Sequence, residues 1–177
     1  MVKGKIVGTG SAVPEMVLTN QDLENLVDTS DDWIVRRTGI RERRIASKAR
    51  QESTSELAAL AASRALEMAE ISADALDLIV VGTATPDHQF PSVACLVQKH
   101  LEAGHTPAFD VAAGCSGFVY AMHVANNMIA TGSCRNVLVI GAERLSTVAD
   151  WTDRSTCVLL GDGAGAVVLT AGDDETG

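Results

Sequence analysis

The chain has 177 residues, 46% of them hydrophobic, 21% charged and 3% aromatic, with a formal net charge of −9. That length predicts one domain around a single core, and the scarcity of aromatics beside abundant Ala and Gly predicts that the core is built from small side chains packed close. The acidic balance argues against nonspecific nucleic-acid binding. No apolar run is long enough to span a bilayer, and glycines interrupt the N-terminus where a signal peptide needs a continuous apolar region, so a cytoplasmic chain without membrane association is expected.

Residues 5–14 (KIVGTGSAVP) begin as a strand that is expected to break at Gly8, Gly10 and Pro14. Thr19 stands three residues before Asp22, and Ser30 precedes DDWIVRR, so two short helices are predicted, the second ending at Gly39. Trp33 and Arg37, spaced i, i+4, then share one helix face. From Arg36 to Arg50 lie seven basic residues and one acid, half of the fourteen Lys and Arg of the chain. Such a run is either a solvated face or an electrostatic docking site for an anion.

Ser53 and Glu56 form a capping box at the head of an Ala-rich helix, residues 53–69, able to approach a sheet closely. A buried strand follows from Leu76 to Val81, ending at Gly82. Next come a helix begun by Pro91, a strand over residues 107–111, a long helix after Cys115 and a strand over residues 136–143. Residues 155–171 read as two β segments about a Gly-rich turn. Strands alternating with crossover helices predict an α/β fold, a largely parallel sheet with helices on its faces, and the informative helix is the one after Cys115. In that helix the polar positions before Thr131 are Ser116, Tyr120, His123, Asn126 and Asn127, and no charge occurs until Arg135. It is expected to be buried almost all round, the middle of something larger.

Cys95, Cys115, Cys134 and Cys157 form no CxxC pair, which predicts reduced thiols and no metal site. Cys115 is set apart by its neighbours. Ala113, Gly114, Ser116 and Gly117 are small, as a strand-to-helix nucleophile elbow requires when it projects a side chain from a tight turn. A helix N-terminus there favours thiolate over thiol and offers backbone N–H groups to a carbonyl oxygen becoming negative. The plainer alternative is a small buried cysteine, the reading kept for the other three. A catalytic thiol usually has a histidine within reach. His123 lies eight residues along the same helix, ~12 Å away at ~1.5 Å per residue, too far. His88 and His105, in loops, remain candidates, and His100 is expected to cap the end of its helix.

The stretches GTGSAVPE, LTNQDLENLVDTSDDWIVRRTGIRERRIA, FPSVACLVQ, AFDVAAGCSGFVYA and DRSTCVLLGDGAGAVVL together resemble the N-terminal half of β-ketoacyl-[acyl carrier protein] synthase III, of the thiolase superfamily. The resemblance covers essentially all 177 residues in order. It implies an N-terminal thiolase-like domain over residues 1–177, an α/β half with a mixed, mostly parallel five-stranded sheet and a buried central helix starting at Cys115, with the C-terminal half absent. It implies that Cys115 accepts an acyl group, commonly acetyl, from acyl-CoA. The acyl-enzyme then undergoes decarboxylative Claisen condensation with malonyl-[acyl carrier protein], initiating fatty-acid synthesis with no cofactor. By the same resemblance Trp33 stacks on the CoA adenine beside Thr29, Arg37 and Arg154, chemistry that suits an indole face and guanidinium groups. A core tryptophan and surface arginines are the alternative. Phe90 matches a residue that shapes the acyl pocket at a homodimer interface, or is a core phenylalanine. Gly161 to Gly165 are expected to serve tight turns near the site, and the rest of the basic run to meet CoA phosphates or an acidic carrier protein.

The histidine and asparagine that drive decarboxylation in this family lie in its C-terminal half, so no residue here receives their roles. The chain is therefore expected to be a fragment, split product or truncated form, with little condensing activity alone. Two further readings stay open: a related starter-unit or secondary-metabolite synthase, and a noncatalytic chain that uses the fold for dimerisation or carrier-protein binding.

Overall fold

The computed structural model describes residues 2–172, apart from the side chain of Lys48. Its centre is built from three apolar runs, β4 (Leu78–Gly82), β5 (Ala108–Val111) and β6 (Asn136–Arg144), paired in parallel with β4 in the middle. Parallel neighbours need crossovers, which are supplied by α4 (Val93–His100) between β4 and β5 and by α5 (Gly117–Ala130) between β5 and β6. β7 (Asp162–Gly172) adds antiparallel to β6, and β1 (Lys3–Ala12) antiparallel to β7, giving a five-stranded sheet in the order β1-β7-β6-β4-β5. Only β7 opposes the common direction, which is the mixed, mostly parallel sheet expected.

Alternation along the strands divides the core into two layers. Ile79, Val81, Leu138 and Ile140 face α4 and α3 (Thr54–Ala69), while Leu78, Val80, Val137 and Val139 face α5. Each such aliphatic side chain contributes about 1.5–3 kcal/mol by leaving water. Helix α3 starts where the sequence placed it. Ser53 Oγ accepts from Glu56 N, Glu56 Oε2 accepts from Ser53 N, and the Asp87 carboxylate takes the N–H groups of Thr54 and Ser55, both at 2.8 Å.

Four expectations are corrected. First, β1 continues past Gly8 and Gly10 to Ala12, with only a shift in its register against β7 between Ile6 and Gly8. A Cβ would stand 2.2 Å from the Ala65 carbonyl oxygen at Gly8 and 2.1 Å from that of Ala61 at Gly10, so these glycines admit α3 rather than end a strand. Second, residues 163 and 165 lie inside the single strand β7, and residues 151–152 and 154–159 are turns. The reason is local: Asp153 Oδ1 and Oδ2 accept from Ser155 and Thr156, and such side-chain bonds divert the backbone from a ladder. Third, α4 begins at Val93 with Ser92 as its cap, two residues beyond Pro91.

The fourth concerns α5. It begins at Gly117, after a 3-10 turn at Gly114–Ser116 that contains Cys115, and it is not buried all round. One stripe, Gly117, Ala121, Ala125 and Ile129, packs on the sheet, while Val119 and Tyr120 are 63% and 56% exposed. An i, i+4 stripe is the most that a single sheet can cover.

A smaller lobe stands at one edge. Strands β2 (Val17–Thr19) and β3 (Glu42–Arg44) pair antiparallel around α1 (Asn20–Glu24) and α2 (Asp31–Thr38). Both caps behave as expected: Thr19 and Asp22 form a capping box, Ser30 accepts from Trp33 N, and Gly39 terminates α2 at φ +76°. The lobe's core is Leu23, Ile34, Cys157 and Val158, flanked by Trp33 and Trp151. Through it runs Arg43, buried, with Nη1 donating to Asn20 Oδ1 at 2.9 Å and Nη2 to the Val158 carbonyl at 2.8 Å.

Candidate active site

Strands β4, β5 and β6 all end at one edge of the sheet, the edge where parallel α/β sheets bind ligands. Cys115 sits there, exposed, four residues past the end of β5. Gly114 makes the turn possible: its φ of +53° is left-handed, strained for a residue with a Cβ, and it swings the chain so that the thiol points outward. The backbone just behind is held close. A Cβ at Gly82 would lie 2.5 Å from the carbonyl carbon of Gly117 and 2.6 Å from Phe118 N, so the head of α5 rests directly on the end of β4.

Register brings further glycines alongside. Gly82 pairs with Gly141 and Gly141 with Gly165, three segments far apart in the chain forming one row across the strand ends. Phe118 packs over Gly141, 3.3 Å from where a Cβ would be. The result is a cleft of about 240 Å3 lined by Cys115, Gly114, Phe118 and Glu143 together with that row. A thiol at a tight turn, at the mouth of a small-residue trough, is open to attack on a carbonyl carbon.

None of the four histidines lines this cleft; His88 lines a larger neighbouring one. The side chain that sequence reasoning missed is Glu143, whose Oε1 accepts from Ala84 N at 2.7 Å and Oε2 from Thr85 Oγ1 at 2.5 Å. A carboxylate closing an otherwise apolar buried strand was the signal available. Of the remaining thiols, Cys134 and Cys157 are buried, and burial pushes both above the ordinary thiol range. At Cys157 the Asp153 charge pushes further upward against a smaller downward pull from Arg43. Cys95 is half-buried, its thiol donating to the Ala108 carbonyl at 3.7 Å.

The other predicted residues gather on the small lobe. Arg37 and Arg154 place their guanidinium carbons 4.4 Å and 5.0 Å from the Trp33 ring centroid. Arg154 Nη1 also donates to the Asp28 carbonyl at 2.6 Å. The Thr29 hydroxyl is enclosed and finds no hydrogen-bond partner among the described residues. Trp33, Arg37 and Arg154 thus form one cluster, but none of them lines the Cys115 cleft. Phe90 is 89% exposed, which removes the reading of a core phenylalanine. The basic run is largely committed elsewhere: Arg43 is internal, and Arg36, Arg44 and Arg50 pair with Asp32, Glu42 and Glu15. Among the described residues no group of His, Cys, Asp or Glu is arranged to hold a metal ion, and no helix is long and apolar enough to cross a membrane.

An elbow cysteine at the carboxyl edge of a mixed sheet, with one helix packed through glycines on its face, defines an α/β chain of the thiolase-like class. Residues 109–177 match the family model described as 3-Oxoacyl-[acyl-carrier-protein (ACP)] synthase III. The chain is 56% identical over 172 residues to the β-ketoacyl-[acyl-carrier-protein] synthase III of Aquifex aeolicus, covering 97% of this chain and 55% of that one. It is 60% identical over 173 residues to the protein of the same name from Xylella fastidiosa, covering 98% and 52%. The crystal structure of the Aquifex synthase superposes with a TM-score of 0.93 over 97% of this chain and 55% of that one. The priming β-ketosynthase of the R1128 polyketide pathway does so at 0.91, with 36% identity over 96% and 50%. Over nearly its whole length the chain is similar to β-ketoacyl-[acyl-carrier-protein] synthase III proteins, and it spans about half the length of the curated relatives it matches, consistent with an N-terminal half.

Proposed function

We propose that this chain supplies the acyl-loading half of a condensing enzyme that initiates fatty-acid synthesis. Cys115 is its nucleophile. The thiol sulfur attacks the carbonyl carbon of an acyl-CoA, acetyl-CoA in the simplest case; a new C–S bond forms, the bond to the CoA sulfur breaks, and the thiol proton ends on CoA. The product keeps the acyl carbonyl electrophilic as a thioester while holding it at a defined place, which makes the next carbon–carbon bond effectively intramolecular. No cofactor is needed for this step. The observation that carries the reading is the exposed Cys115 on its left-handed turn at the mouth of a cleft.

The Trp33–Arg37–Arg154 cluster is proposed to hold the CoA nucleotide, with the unpartnered Thr29 hydroxyl as an added polar contact. An indole face suits adenine and guanidinium groups suit phosphate. Malonyl-[acyl carrier protein] is the proposed second substrate of the complete reaction, for which the family employs a histidine and an asparagine from its other half. Phe90, an exposed aromatic, is proposed to lie at a homodimer interface and to shape the partner's acyl pocket. A polyketide-priming role is the second reading; the identity of 56% to 60% with fatty-acid-type synthases, against 36% with the polyketide enzyme, favours the first.

Incubation of the chain with acetyl-CoA followed by peptide mass spectrometry tests the proposal. The expected result is one acetyl group on Cys115 and none in Cys115→Ser. A folded chain that stays unmodified at Cys115 while binding carrier protein or dimerising supports the noncatalytic reading instead.

A further inference from the structure

Two clefts open side by side at the carboxyl edge of the sheet without a lining residue in common. The smaller, about 240 Å3, holds Cys115 and Glu143. The larger, about 790 Å3, is lined in part by Ala84, Thr85, Asp87, His88 and Arg144. Between them stands a hydrogen-bonded junction. Glu143 accepts from Ala84 N at 2.7 Å and from Thr85 Oγ1 at 2.5 Å, so both of its oxygens are engaged by the turn that follows β4. Thr85 Oγ1 accepts in turn from Arg144 N at 2.8 Å, and the Thr85 carbonyl takes the Thr54 hydroxyl at 2.7 Å. The turn is therefore fastened to the end of β6 and to the start of α3, and Glu143 joins a wall of one cleft to a wall of the other. Hydrogen bonds to a carboxylate are about twice as strong as neutral ones, so this junction is rigid.

We propose that Glu143, braced by Thr85, is the partition that closes the Cys115 cleft against its larger neighbour and so restricts the thiol to short acyl groups. The proposal rests on the acyl-loading reading. Glu143 is a positioning residue: it need not touch the reacting atoms, and it selects by length. A long acyl chain would have to push the carboxylate away from both donors, leaving polar groups unpaired beside hydrocarbon, which is the kind of penalty that yields strong discrimination. Deleting the carboxylate joins the clefts and gives such a chain somewhere to lie.

The test uses the chain, Glu143→Ala, Glu143→Gln and Thr85→Val, with Cys115→Ser as background. Acetyl-, butyryl- and octanoyl-CoA report acylation of Cys115 by mass spectrometry. Methyl, butyl and octyl methanethiosulfonate report access to the same thiol without acyl transfer: the cysteine sulfur forms a disulfide bond to the alkylthio group and methanesulfinate leaves. The expected result is an octyl-to-methyl rate ratio that rises about tenfold in Glu143→Ala and less in Thr85→Val. Glu143→Gln keeps an oxygen for Ala84 N and fills the same space, so its ratio stays at the original value. A merely structural role would slow or speed all lengths together. An unchanged ratio in Glu143→Ala with an unaltered circular dichroism spectrum overturns the partition; if that variant fails to fold, Thr85→Val decides in the same way. A shifted ratio with no acylation from any CoA thioester supports the partition and overturns acyl loading.

Discussion

Trp33 is the residue whose surroundings speak most directly of a ligand. Two guanidinium groups share its ring, while Asp28 accepts from one of them through its backbone carbonyl. Cation–π contacts at exposed sites are worth about 0.5–1 kcal/mol each, and stacking of a base on an aromatic side chain about 1–3 kcal/mol. Trp33→Ala is therefore expected to weaken CoA binding by roughly 10- to 100-fold in isothermal titration calorimetry. Trp33→Leu, which keeps apolar contact with the lobe's core, should show the same loss if stacking is responsible. Unchanged affinity in both would place the nucleotide elsewhere. Arg43 shows the opposite case, a cation that charge counting grouped with a docking surface. Its partners are Asn20 and the Val158 carbonyl, inside the lobe, and burial lowers its pKa from the usual guanidinium range.

At the scale of elements, caps were legible and close approaches were not. Ser53 with Glu56 and Thr19 with Asp22 announced helix starts because the partners lie three residues apart and the bond needs nothing beyond the local chain. Gly8 and Gly10 look alike in the sequence to glycines at a turn. What they meet, the backbone of α3 more than fifty residues away, exists only after β1 and β7 have paired and α3 has docked. Gly8→Ala is expected to destabilise the chain by about 1–3 kcal/mol or more, read as a lowered urea midpoint at constant slope. Gly39→Ala meets nothing within 4 Å and strains only the helix cap, so it should cost less. Equal losses would mean that the close contact between β1 and α3 is not what Gly8 is for. The same reasoning explains α5. Its composition is apolar enough for burial on every side, yet one sheet face covers only the stripe from Gly117 to Ile129.

The whole molecule divides into a sheet with helices on both faces and a small lobe, and the aspartates with depressed pKa values gather at the lobe. Asp22, Asp150 and Asp153 all titrate below the ordinary aspartate range, held down chiefly by side-chain hydrogen bonds from Thr19, Thr152 and Ser155 respectively. A depressed folded-state pKa contributes stability that is present above the unfolded value, about 3.9, and is lost as pH falls through the folded one. All three lie in or beside the small lobe, and so do Trp33 and Trp151, the two tryptophans of the chain. Acidification below about pH 4 is thus expected to change tryptophan fluorescence before the far-ultraviolet dichroism of the sheet. Coincident transitions would show that the lobe has no separate weakness.

The sequence by itself determined the alternation of strands and helices, the capped starts of α1, α2 and α3, the pairing of Trp33 with Arg37 and the singular place of Cys115. Each of these depends on residues within a few positions of one another, where spacing alone implies contact. Tertiary structure decided which glycines of three distant segments stand in one row, that Arg43 is internal, and that Glu143 reaches Thr85 in the turn after the neighbouring strand β4. Those contacts follow from strand register, and register is a collective outcome of burying both faces of the sheet at once, with no local signature in the chain.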